Sequence, residues 1–167
     1  GANWYRNAVS LIADRSSPSE LFASGKLLGR PSAGRMSMFF YDPKTKARLP
    51  YYDTFPLVLP IDTMRGGFIG LNFHYLPYGA RFAFLQQLQT LATNSKFDQS
   101  TKILATYQQV KSNKYVKASI KRYLYSQVRS QFLRVDVNEM ALAAYLPVAQ
   151  FQGATLGTVF SRSRKTY

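Results

Sequence analysis

Gly66-Gly67-Phe68-Ile69-Gly70-Leu71-Asn72-Phe73-His74-Tyr75 is the stretch whose reading decides the fold class. The glycine pair signals a turn. After it, Ile69, Leu71, Phe73 and Tyr75 alternate with Gly70, Asn72 and His74. A period of two is the pattern of a half-buried strand, with His74 beside Asn72 on its polar face. Upstream, Met36-Ser37-Met38-Phe39-Phe40-Tyr41 reads as a strand ended by the turn Asp42-Pro43-Lys44. Between them lies a second apolar run, Phe55 to Ile61, in which Pro56 and Pro60 demand an edge position or a bulge. Residues 35–76 are therefore expected to form a small antiparallel β-meander, which needs a cover to be stable.

Downstream the period lengthens to that of a helix. Pro77 opens one that runs to about Thr93, with Phe84, Leu88 and Leu91 on one face and glutamines opposite. A second helix is expected from about Ser100 to Lys111, and a third from Lys114 to Ser130. Phe132-Leu133-Arg134-Val135 is strand-like, and Asn138 to Leu146 reads as a buried apolar helix ended by Pro147. Before the meander, two short helices are expected within residues 1–34, the second opened by the capping box Ser17-Pro18-Ser19-Glu20. A Gly/Ser/basic connector, residues 24–35, follows. The expected architecture is α+β in a single domain of 167 residues. Its parts are a helical arm (1–34), the meander (35–76) packed against several α-helices (77–146), and a C-terminal segment with a basic tail (147–167).

Composition narrows the function. The chain has no cysteine, which excludes disulfide scaffolds, thiolate chemistry and cysteine zinc sites. Its 46 % apolar and 15 % aromatic content argues against disorder. No apolar run approaches the ~20 residues that span a bilayer, so no membrane partner is expected. Lys and Arg number 22 against 8 Asp and Glu, a formal net charge of +14. Such an excess favours polyanionic partners. It is also uneven: residues 94–134 carry 9 basic residues and 1 acidic one, more than half of the net charge. As a helix, Lys114 to Ser130 would place Lys114, Lys117, Lys121, Tyr125 and Arg129 on one stripe, opposite Val116, Ile120, Tyr123 and Leu124. With Lys111, Arg122 and the tail residues Arg162, Arg164 and Lys165, this stripe is the candidate contact for nucleic acid or an acidic protein. Basic side chains one turn apart could meet successive phosphates, and Tyr125 could stack on an exposed base.

Catalytic signals are weak. His74 is the sole histidine, and no metal-ligand spacing, nucleophile elbow or phosphate loop is present. Asp53, Asp62 and His74 could meet across the sheet and would be the trio to test in an enzyme. The expectation is a non-enzyme without cofactor, metal or small-molecule substrate.

Several segments carry a resemblance. They are Met38-Phe39-Phe40-Tyr41-Asp42-Pro43-Lys44, Leu49-Pro50-Tyr51-Tyr52-Asp53, Phe55-Pro56-Leu57-Val58, and Gly67 through Pro77. Together they resemble a family of virion-associated structural or DNA-end-associated proteins of large contractile-tailed bacteriophages. The resemblance covers about residues 35–90 and reaches Arg122-Tyr123-Leu124 and the basic C-terminal end. It implies a phage particle as the setting, other virion proteins as partners and packaged DNA nearby, and it brings no catalytic residue with it. The leading expectation is a non-enzymatic structural component of tail, baseplate or neck. The alternative is a basic DNA-binding protein that binds or protects DNA ends.

Overall fold

The computed structural model describes residues 27–92, 111–135 and 149–166, with isolated positions at 101, 104, 105, 107, 108, 140, 143 and 144. The expected helices within residues 1–26 and most of those at 100–111 and 138–146 lie outside the described residues. Of the last, Met140, Ala143 and Ala144 are helical and buried.

In chain order the strands are β1 (Leu27–Leu28), β2 (Ser37–Met38), β3 (Tyr52–Asp53), β4 (Leu57–Met64), β5 (Gly67–Asn72), β6 (Ile120–Leu124), β7 (Phe132–Arg134) and β8 (Phe151–Gln152). The helices are α1 (Tyr78–Ala92), α2 (Lys114–Ser119) and α3 (Leu156–Thr166). Six strands form one antiparallel sheet in the order β1-β7-β2-β4-β5-β6, and β3 pairs with β8 in a separate two-stranded sheet. The strands expected between 35 and 76 are thus the middle of a larger sheet. Its two edge strands, β1 and β6, come from segments read as connector and helix, whereas β7 is the strand expected at Phe132. The connector supplies β1, whose Leu27 is buried beside β7.

The turn at the glycine pair is built as expected. Gly66 sits at φ +74, a conformation that glycine adopts without strain, and joins β4 to β5 with Arg65. Pro60, which has no N–H to give, lies at a register shift between Pro60 and Asp62. Its carbonyl instead accepts a hydrogen bond from the Gly34 N–H at 2.9 Å.

Both faces of this sheet are buried, which corrects the half-buried reading of Ile69 to Tyr75. One face carries Met38, Leu57, Leu59, Leu71 and Leu133, packed with Phe84 of α1 and Val116 of α2. The other is an aromatic cluster centred on Phe39, whose ring lies 4.7 to 6.1 Å from those of Tyr41, Phe68, Tyr123 and Phe132. β5 also ends sooner than the alternation implies. The Asn72 side chain accepts a hydrogen bond from the His74 N–H (3.0 Å) and turns Phe73–Tyr75 into a buried 3-10 turn.

The long third helix is the largest correction. α2 stops after six residues, and Ile120–Leu124 pairs with β5 from Leu71 to Gly67. The helical period of residues 114–130 is overridden by tertiary pairing, since Ile120 and Tyr123 suit a strand and an open edge of β5 is available. Glycine makes the approach possible, because a Cβ on Gly67 would drive into the carbonyl oxygen of Tyr123. The basic tail is likewise a helix. Thr155 Oγ1 accepts from the Thr158 N–H at 3.2 Å at the start of α3, and Val159 is fully buried.

Gly67→Ala is expected to weaken the β5–β6 pair and destabilise the protein by about 1–3 kcal/mol in thermal or denaturant melts. Gly79→Ala, where a Cβ meets nothing within 4 Å, is expected to stay within about 1 kcal/mol of the parent.

Candidate nucleic-acid interface

Asp53 anchors the candidate site. It is 4 % exposed, and donors surround its carboxylate. Oδ2 lies 2.7 Å from His74 Nδ1 and accepts from Asn72 Nδ2 at 3.1 Å. Oδ1 accepts from the N–H groups of Phe55 (3.0 Å) and Gln150 (3.3 Å). Burial alone would raise this carboxyl, but the charge and hydrogen bond of His74, with the Asn72 and Phe55 donors, outweigh it and hold it below the usual carboxylate range. The network therefore ties β3, the end of β5 and the segment before β8 together. Of the trio expected across the sheet, Asp53 and His74 meet. Asp62 does not: it stays exposed and accepts from the Thr63 N–H at 2.8 Å. His74, expected on a polar face, is fully buried instead.

Asp53 at one end, and Tyr41 at the other through its hydroxyl on the Leu124 N–H, hold the intervening segment beside β6, the last strand of the large sheet. Between them opens a cleft of about 620 Å³. Four cations line it: Lys44 from the 42–45 turn, Arg65 from the β4–β5 link, and Lys121 and Arg122 from β6. Lys44, Arg65 and Arg122 are exposed, whereas Lys121 is half-buried with its ammonium 4.1 Å from the centre of the Tyr75 ring. Burial pushes that ammonium below the ordinary lysine value. Aromatic walls come from Tyr41, Tyr52, Tyr75 and Tyr123. The Tyr75 and Tyr123 phenols are raised by burial, and by the nearby Asp53 charge, so both remain neutral donors at physiological pH. Tyr41 Oη accepts the outward Leu124 N–H at 2.9 Å, which pins the cleft wall to the strand edge.

The single basic stripe expected from the sequence is therefore broken up. Lys111 and Lys117 are exposed around α2, and Lys114 is its first residue. Lys121 and Arg122 alternate along a strand. Tyr125 is half-buried in a 3-10 turn, with the Arg30 guanidinium 4.9 Å from its ring centre, so that face is already covered. Arg129 turns away, donating to the Ser126 carbonyl at 2.7 Å and lying 3.9 Å from Asp42. Arg162 lies over Tyr51 at 5.4 Å, and Arg164 and Lys165 follow it along α3. Lys44 and Arg65 were missed by sequence reasoning, because each is a lone cation in a turn, and only the topology brings them to β6.

The comparison with protein families places this geometry in context. A match to the family described as phage T4 terminal DNA protecting protein spans residues 21–165. The chain belongs to that family. It is accordingly a bacteriophage protein whose family is associated with DNA ends, as the resemblance implied in outline. No curated protein and no solved structure matches the chain. Among the described residues no helix is long and apolar enough to cross a membrane.

The Asp53 network gives stability a defined dependence on acid. Because its folded pKa lies below the ordinary 3.8, its contribution is complete above that value and is lost as pH falls through the folded pKa. Melts from about pH 6 to about pH 2 are expected to show a steeper acid loss in the parent than in Asp53→Asn. That variant should itself be weaker at neutral pH by about 3–5 kcal/mol.

Proposed function

We propose that this phage protein binds and shields the ends of linear double-stranded DNA, and that it does so by binding alone, without a chemical reaction. The observation that carries the reading is the cleft at β6, where four cations and four tyrosines converge in a member of a terminal DNA protecting family. Cations neutralise phosphates and release counterions, and tyrosine rings offer faces to unstacked bases. Lys111 and Lys117, exposed on the approach to β6, extend the positive surface toward phosphates further along the duplex.

The setting we propose is the phage particle, or the host cytoplasm during infection. Contacts with other virion proteins, in tail, baseplate or neck, are a second part of the reading. It draws support from the exposed Tyr78 and Phe82 on α1, aromatic side chains of the kind that protein interfaces favour.

Affinity for linear and circular DNA of equal length, measured across a salt series, tests the reading. Linear DNA should bind more tightly, and log K should fall against log[salt] with a slope of about −4 to −5, as about five phosphate contacts require. Equal affinity for circles and linear molecules would overturn end binding.

A further inference from the structure

We propose that the β6 cleft takes a single unpaired terminal nucleotide through its terminal phosphate, with the phosphate on Lys121 and the base against Tyr52. The inference rests on the DNA-end reading and names the chemical group that distinguishes an end from the middle of a strand.

Size is the first argument. A space of about 620 Å³ is the volume of a small-molecule site and holds one nucleotide. A nucleotide that enters alone must leave its complement, as the last nucleotide of a strand does at little expense in stacking.

Charge is the second. Among the described residues, Lys121 has the Tyr75 ring as its neighbour and no carboxylate in ion-pair range. Asp53, which lines the same cleft, is engaged by His74 at 2.7 Å, and Asp42, next to the lining residue Pro43, by Lys46 at 3.0 Å. A half-buried ammonium so placed is under-neutralised, and an incoming anion would supply what the fold leaves out. A terminal phosphate monoester carries about −1.5 to −2 charges at neutral pH, against a single charge on an internal diester. The cleft therefore favours the end by charge as well as by access.

Wall chemistry is the third. Tyr41 and Tyr123 belong to the buried aromatic cluster, and Tyr75 lies under Lys121, which leaves Tyr52 as the half-buried ring facing the cleft. Arg122 lies on the opposite face of β6 from Lys121, exposed, and adds to the positive surface around the cleft.

Hairpin duplexes with one open end, carrying a 5′-phosphate, a 3′-phosphate or only hydroxyls, decide the matter by competition against the full chain. One of the phosphorylated ends is expected to bind about tenfold or more tightly than the hydroxyl end, the least that one added charge-assisted contact is worth. The Lys121→Gln variant should bring that ratio close to one, whereas Arg122→Gln, on the other face of β6, should weaken all three ends alike and leave the ratio unchanged. Because Lys121 is half-buried, competition by a free deoxynucleoside monophosphate against its nucleoside supplies a readout that does not depend on its substitution. Equal affinity for phosphorylated and hydroxyl ends, with linear DNA still preferred over circles, would overturn this inference and leave the end-binding reading standing. Loss of the linear preference itself would overturn both.

Discussion

The carboxylate of Asp53, buried and ringed by donors from His74, Asn72, Phe55 and Gln150, is the joint on which the molecule turns. A charge cannot leave water without such company, and its partners come from three places in the chain: its own turn, the end of β5 and the segment before β8. His74 and Asn72 terminate β5 in the large sheet, while Asp53 itself sits in β3 of the small one. The pair thus fixes the small sheet against the large one. The Tyr41 hydroxyl, which accepts from the Leu124 N–H, holds the other end of the 41–53 segment to β6.

What that segment encloses is a site of mixed character. The positive charge of the chain is too abundant to be informative as a total, yet among the described residues four cations meet at this cleft, and one of them is half-buried over a tyrosine. Exposed cations draw DNA in from a distance and are weakened by salt. A half-buried one is screened less and acts at contact. The division suits a protein that must find DNA by its charge and then hold one particular place on it.

Much of the fold was legible in the sequence. The Gly66 turn, the bulge at Pro60, the helix after Pro77 and the strand at Phe132 follow from local chemistry that tertiary structure did not alter. Two features resisted. Residues 114–130 satisfy a helical period, but the open edge of β5 takes Ile120 to Leu124 into the sheet, and periodicity cannot register a vacancy elsewhere in the fold. The alternation from Ile69 to Tyr75 implied a polar face, whereas a second layer of aromatics covers that face of the sheet, and His74 turns into a buried 3-10 turn against Asp53. The cleft was only half legible for the same reason. Lys121 and Arg122 stood out in a basic run, while Lys44 and Arg65 join them only through pairing between distant segments. The basic stripe, once resolved into a helix and a strand, ceases to be one surface.

The central claim is that a DNA end sits against β6. Photo-crosslinking with 4-thiothymidine at the terminal position of a linear duplex, followed by mass mapping of the joined peptides, tests it most directly. The account expects crosslinks within residues 41–53 and 120–125, falling away when the probe is moved one helical turn inward. Crosslinks as strong from the interior position, or joined mainly to α1, would contradict it.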